Sequence, residues 1–442
     1  MSTRIAIVGS GFLGLTMALR LDPLKYDVTL FEAADQIGGL ASAWQIGNVT
    51  WDKHYHVTLL SDLNTRKIVE DIGLGDEFEW VETKTGFYTG GRLYSMSDTM
   101  EFLRFPPLDL MSKLRLGATI FYASRVKDWK RLETIPVDEW LAGLSGKKTF
   151  EKIWKPLLMA KLGEAYKETS AAFIWATIQR MYAARKSGLK KEMFGYVSGG
   201  YASVLERFAA VLEEKGVGIK LLRPVESVRR EGARVLVESK GESDEFDKVI
   251  VTCSPSAASR MIPQLTKDEH AALERVKYQG IVCASVLMKK PLSEFYVTNV
   301  TDESPFTGII EMSAMVDKDE FGGRNLVYLP KYVAPDDPLF QKPDEEIEDR
   351  FLSALEAMYP KFSRADVVAF RVSRVKEVFP VPVLDYSASV PSKITSVDGV
   401  FTVNSAQITN GTLNVNETIQ LALEFLDEFS AAETREGSVG EE

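Results

Sequence analysis

Two of the chain's three histidines, His54 and His56, stand one residue apart in WDKHYHVTLL (51–60), while His270 lies in a charged stretch, TKDEHAALE. Imidazoles this close could bind a metal, relay a proton or line a cofactor cavity. A metal would need a third and a fourth ligand at fixed spacing. No H-x-x-x-H, cysteine pair or carboxylate cluster accompanies them, so no metal is expected. In an extended segment His54 and His56 share a face and Tyr55 points the other way. Three readings stay open: a cofactor wall, an acid–base pair, or hydrogen-bonded core residues. Lys331, set between aromatics in YLPKYV (328–333), is the third candidate catalytic residue. It could hold an anionic substrate, or it could be an ordinary strand lysine at the surface.

The elements that would position such chemistry begin at the amino terminus. RIAIVGSGFLGLTMALRL (4–21) reads as a buried apolar strand, a glycine turn and an apolar helix. Gly9, Gly11 and Gly14 would serve a tight turn, a close backbone approach to a pyrophosphate and close helix–strand packing. The phosphates would sit on the helix N-terminus, where free amides and the dipole favour anions. A second strand, YDVTLFEA (26–33), ends in Glu32, eighteen residues after Gly14. An acid there accepts hydrogen bonds from both ribose hydroxyls and repels a 2′-phosphate, so FAD or NAD is expected rather than NADP. No second G-x-G-x-x-G precedes an acidic strand, which argues against a separate NAD(P)H domain.

The bulk properties are those of an ordinary globular protein of two to three domains. There are 442 residues, 45% hydrophobic and 26% charged, with a net charge of −10. That charge argues against nucleic-acid binding. Two cysteines, Cys253 and Cys283, and a strand that starts at Arg4 lead to a cytoplasmic expectation. The charge is unevenly spread: residues 104–193 hold 18 Lys or Arg against 9 Asp or Glu, a charge of +9, which leaves −19 for the remainder. Within this stretch Leu110, Met111, Leu114, Ala118, Phe121 and Tyr122 recur at helical spacing. Basic residues mixed with aromatics (KLRLGATIFYASRVKDWKR) suit either a solvated helical face or an anionic membrane surface, reached as a peripheral protein at the inner face. Such charge would equally steer an anionic substrate.

Further along, GYVSGGYASVLERFAAVLEEKGVGIKL (195–220) is glycine turn, helix and strand, and residues 278–384 are rich in strands. GVFTVNSAQITNGTLNVNETIQLALEFLDEF (399–429) is strand, polar loop and helix, and the acidic 431–442 segment is expected to be a disordered tail. The fingerprint with its paired Gly38-Gly39, the segment FEKIWKPLLMAKLGEAYKETSAAFIWATI (150–178), the 195–220 signature and the closing motif together resemble one family. It is the FAD-dependent amine-oxidase-like superfamily, which includes protoporphyrinogen oxidases, phytoene-type desaturases and amine oxidases. The pattern is nearest that of its bacterial protoporphyrinogen-oxidase-like branch.

The resemblance implies an α/β protein with a discontinuous, Rossmann-type FAD domain from 1–80, 195–260 and 385–430. An α+β substrate domain, with a helical basic region and a mixed sheet, would come from 81–194 and 261–384. It implies pyrophosphate contacts at Gly9, Gly11, Phe12, Leu13 and Gly14, helped by Gly39, and adenine–ribose contacts at Glu32, Ala33 and Val225. It further implies flavin contacts at Leu40, Ala41, His56, Ser405, Leu413 and Val415. Relatives often carry arginine after the glycine pair, where this chain has Leu40, and aspartate where it has Ser405. The implied activity is hydride removal from an apolar or partly anionic small molecule, in a C–C or C–N dehydrogenation. Electrons would pass on to oxygen, a quinone or another protein. Two alternatives are a redox-neutral mutase or isomerase acting on a sugar nucleotide or polyprenyl-type substrate, and a non-catalytic flavin-bearing protein that binds a membrane surface or a partner.

Overall fold

A computed structural model describes residues 2–185 and 193–439. Five parallel strands form the first sheet, in the spatial order Gly218–Lys220, Tyr26–Phe31, Thr3–Val8, Lys248–Val251 and Val400–Thr402. The chain therefore returns to this sheet from three distant stretches. Ile5 to Val8 form a continuous apolar run because both faces of the sheet are covered. Ile5 and Ile7 pack under the Phe12–Arg20, Gly200–Glu214 and Val415–Val439 helices. Ala6 and Val8 meet Val228, Val235 and Phe246 on the other side. The break expected at 260 falls inside the Pro255–Met261 helix, and Leu273 of the Lys267–Glu274 helix packs in the same core beyond it.

A seven-stranded sheet makes up the second layer. Its order is Val367–Pro380, Tyr278–Met288, Asn325–Val333, Gly308–Glu311, Val297–Val300, Thr85–Thr89 and Arg92–Ser95. It is mixed, because Val297–Val300 pairs in parallel with Thr85–Thr89 and the other neighbours are antiparallel. Tyr278–Met288 is buried along its whole length. Cys283, Leu287 and Tyr328 face the first domain, while Val282, Val286 and Leu329 face Phe351 on the Asp344–Met358 helix.

Helices between Thr99 and Arg185 close around Leu141, Trp154 and Phe173. The Leu110–Ala123 helix has the expected periodicity, but its polarity is inverted. Leu110 is 66% exposed and Phe121 55%, with Met111, Leu114 and Tyr122 exposed beside them. Ser112, Lys113 and Thr119 are turned inward with Leu116. The inward polar groups are tolerated because backbone carbonyls accept from them: Lys113 Nζ donates to Leu103 O (2.7 Å) and Thr119 Oγ1 to Arg115 O (2.8 Å). The end of the basic stretch, 186–192, lies outside the described residues. The final helix continues to Val439, so the tail expected to lack structure from 431 is helical as far as it is described.

Candidate functional site

The turn after the first strand has the geometry its glycines demand. Gly9 has φ +105°, and a Cβ there would lie 2.6 Å from Thr252 Oγ1. Gly11 is the N-cap of the Phe12–Arg20 helix and supplies no capping side chain; a Cβ on it would meet open space. The amides of Phe12 and Leu13 therefore begin a helix whose N-terminus suits a phosphate. Their side chains are buried, and Phe12 packs edge-on against Tyr201 at 5.4 Å. Gly14 lets the helix rest on the turn, since its Cβ would lie 2.1 Å from Gly9 O.

Glu32 is oriented at the end of the neighbouring strand by three donors. Ser10 N (3.0 Å) and Ser10 Oγ (2.6 Å) reach one oxygen and Ala34 N (2.9 Å) the other. Ala33 beside it is exposed, and Val225 opens the Val225–Glu231 strand half-buried. Burial, with the Glu32 charge added, pushes the Cys253 thiol up to about 12, so it stays protonated. The glycine pair docks backbone to backbone on the turn: Gly38 N donates to Ser10 O (2.8 Å), and a Cβ on Gly39 would lie 3.3 Å from Gly11 Cα. Leu40 is exposed and Ala41 buried.

The closing segment reaches the same edge, because the first and last helices each follow a parallel strand and so begin at the carboxyl ends of that sheet. Ser405 Oγ pairs with Tyr278 OH at 3.3 Å. Leu413 packs on the core of the helical region. Val415 opens the last helix, where Asn414 Oδ1 accepts from Glu417 N (3.1 Å). Asn404 Nδ2 and His56 Nδ1 are buried without a hydrogen-bond partner in the described residues. An uncapped helix N-terminus over open space, a fixed acid at the ribose position and these orphaned atoms fit a dinucleotide carrying a ring system.

The His54–His56 segment is irregular rather than a strand, and its three side chains diverge. His54 Nε2 pairs with Ser373 Oγ at 3.2 Å, on the seven-stranded sheet. Burial, with His56 and Lys53 nearby, lowers its pKa to about 3, so it is neutral across the working range. His56 stacks at a tilt on Tyr201 (5.0 Å) and stands 3.8 Å from Asp52 Oδ2, beyond hydrogen-bond reach. Asp52 itself accepts from Tyr201 N at 2.9 Å, and burial raises its pKa. Tyr55 OH meets Tyr332 OH at 3.0 Å. The two histidines thus contact different bodies and do not form a pair. Among the described residues no cluster of three metal-ligating groups occurs.

Lys331 is not brought into this group. On its strand Tyr328 and Tyr332 face the first domain, and Lys331 alternates to the opposite face. There it donates to Ser304 O (3.1 Å), and burial, then Arg350, lowers its pKa. Two features had no signal in the sequence. Arg180 NH2 binds the buried Asp62 at 2.7 Å, joining the Ala171–Arg185 helix to the turn after the histidines. Lys161 lies over the Tyr332 ring at 3.8 Å and the Phe379 ring at 5.0 Å, and Phe379 in turn packs edge-on against Phe173.

Fold and site together fit a dinucleotide-binding protein in which a five-stranded parallel sheet is joined to a seven-stranded mixed sheet. The flavin-containing amine oxidoreductase family model matches residues 14–392, and the chain belongs to that family. It is 20% identical over 453 residues to a zeta-carotene desaturase of Synechocystis sp., covering 91% of this chain and 92% of that one. It is 22% identical over 425 residues to a 4,4′-diapophytoene desaturase of Staphylococcus haemolyticus, covering 84% and 76%. Among solved structures, a candidate protoporphyrinogen oxidase from Exiguobacterium sp. superposes with a TM-score of 0.75 at 19% identity, over 98% of this chain and 99% of that one. The protein is an FAD-dependent oxidoreductase of this family.

Proposed function

We propose that the protein introduces a C=C bond into an elongated apolar substrate of polyene type, drawn from an anionic membrane surface. One observation carries this reading: the inverted Leu110–Ala123 helix, whose apolar residues face outward within the most basic part of the chain. An exposed apolar face ringed by cations has the chemistry of a helix that lies in a lipid headgroup layer. No helix of the described residues is long and apolar enough to span a membrane, so contact would be peripheral. A substrate dissolved in the bilayer would then reach the aromatic cluster of Tyr55, Tyr328 and Tyr332. The relatives that match most of the chain carry carotenoid-desaturase names, in keeping with such a substrate.

In this reading the Gly9–Gly14 turn, Glu32 and the Gly38-Gly39 pair hold FAD, which supplies the hydride acceptor when bound. Leu413 and Val415 set a helix N-terminus toward the ring, where its dipole favours negative charge. His54, neutral and tied to Ser373, and His56, against Tyr201, wall the site and keep water out. The electron acceptor would be oxygen, a quinone or a partner protein.

Anaerobic mixing of the holoenzyme with vesicles carrying zeta-carotene is expected to remove the oxidised-flavin absorbance. Unchanged flavin with zeta-carotene and with diapophytoene would sink the desaturase reading. Sedimentation with phosphatidylglycerol vesicles should pull the protein down, and phosphatidylcholine vesicles should do so weakly. Each apolar side chain removed from lipid costs about 1.5–3 kcal/mol. Leu114→Asp with Phe121→Asp should therefore weaken binding by about a hundredfold or more. Equal binding of this variant would remove the membrane surface from the reading.

A further inference from the structure

The aromatic cluster around Tyr55, Tyr332 and Phe379 also has a group that could fix the register of a long substrate. Lys161, in the last turn of the Lys155–Leu162 helix, places its ammonium 3.8 Å from the Tyr332 ring centroid and 5.0 Å from that of Phe379. Aromatic faces stabilise a cation but use none of its three N–H donors as a carboxylate would. Other lysines along this stretch are satisfied by oxygen. Lys152 donates to Pro107 O (2.9 Å), Lys155 to Glu151 (3.0 Å), and Lys167 pairs with Glu164 (2.6 Å). Lys161 has no oxygen partner among the described residues, although it is half-buried.

The groups it touches are a phenol ring and a phenyl ring rather than a carboxylate. Tyr332 OH and Tyr55 OH pair at 3.0 Å, and burial holds the Tyr55 phenol well above its ordinary pKa, so that phenol stays neutral. One hydroxyl proton is shared in such a pair and the other is left to donate. An ammonium over the face of the Tyr332 ring and a phenol proton at that ring's hydroxyl are the donor types that the two oxygens of one carboxylate accept from. We propose that Lys161, with the Tyr55–Tyr332 hydroxyl pair, binds a carboxylate at one end of an otherwise apolar substrate and sets which carbons reach the flavin. This rests on the apolar-substrate reading above and adds a specificity-determining residue to it.

The test uses all-trans-retinoate and methyl retinoate as probes, an anion and a neutral ester on one polyene skeleton. Their binding to the FAD-loaded protein is read by perturbation of the flavin spectrum. A charge-assisted contact of this kind predicts that the acid binds about tenfold or more tightly than the ester. Lys161→Met should erase that preference and leave ester affinity as it was, and Lys161→Arg should keep most of it. If the preference survives in Lys161→Met, or if wild type binds the ester and the acid alike, the assignment falls while the apolar-substrate reading stands. If wild type binds neither probe, both fall.

Discussion

Replacing Gly14 by alanine is expected to yield a protein that purifies without flavin and melts at a lower temperature. The added methyl carbon would lie 2.1 Å from Gly9 O and 3.2 Å from Ile7 Cγ2. The first of these is backbone, which cannot swing aside. Relief requires the Phe12–Arg20 helix to lift from the Thr3–Val8 strand, against Leu15 and Met17, which are fully buried. Overpacking of this kind costs about 1–3 kcal/mol, and more where backbone must move. Many dinucleotide folds accept alanine at the third glycine; this one lacks the room. The same shift takes the amides of Phe12 and Leu13 off the phosphate position.

Gly11→Ala is the discriminating companion. Gly11 has φ −69°, within ordinary range, and its Cβ would touch nothing. The flavin-free protein should therefore unfold as wild type does. Yet the methyl would stand where a pyrophosphate must approach the backbone, so FAD affinity should drop by about tenfold or more, equivalent to at least 1.4 kcal/mol. Flavin per chain after denaturation and thermal unfolding of the stripped protein separate the two effects. If Gly11→Ala retains FAD at wild-type affinity, the phosphates do not cross this turn. If Gly14→Ala retains both flavin and stability, the helix contact is softer than its geometry implies.

These two glycines also explain what was legible in the sequence. Backbone geometry at a tight turn admits few residue types, so the Gly9–Gly14 turn and the position of Glu32 are readable from spacing, whereas the Gly38-Gly39 pair is readable only through a family resemblance. The long apolar runs likewise announced the parallel sheet, because strands covered on both faces have no alternation to hide. Direction was less legible. The Leu110–Tyr122 stripe revealed a helix, but periodicity is the same whether the apolar side meets a core or a bilayer. Proximity along the chain groups Lys331 with Tyr328 and Tyr332, although period-two alternation puts it on the other face from both. An extended path would put His54 and His56 on one face, but the irregular path sends their rings to separate partners. Lys161 and Arg180 could not be found, since each is defined by a residue far away in the chain, Tyr332 and Asp62.

Arg180 is the second place where a single change should have a large effect. The Asp62 side chain is only 5% exposed and has two kinds of partner: Leu59 N at 2.9 Å and the Arg180 guanidinium, through NH2 at 2.7 Å and Nε at 3.3 Å. The guanidinium side is 27% exposed. The two mutations that break the pair are therefore unequal. Arg180→Met strands a charge that solvent reaches poorly, a loss of about 3–5 kcal/mol. Asp62→Asn keeps an acceptor for Leu59 N and frees an arginine that can rehydrate, so about 1 kcal/mol is expected. The consequence extends beyond stability. Next to Asp62, Asn64 N donates to Asn416 Oδ1 (2.9 Å) and Asn64 Nδ2 to Gln420 Oε1 (2.8 Å), tying this turn to the first turns of the last helix. Arg180→Met should thus loosen the helix N-terminus assigned to the flavin and raise the rate of FAD release along with lowering the urea midpoint. Asp62→Asn should leave FAD release near wild type. Equal destabilisation by both changes would mean that the ion pair matters only for its mutual attraction, and that burial of Asp62 imposes no separate cost.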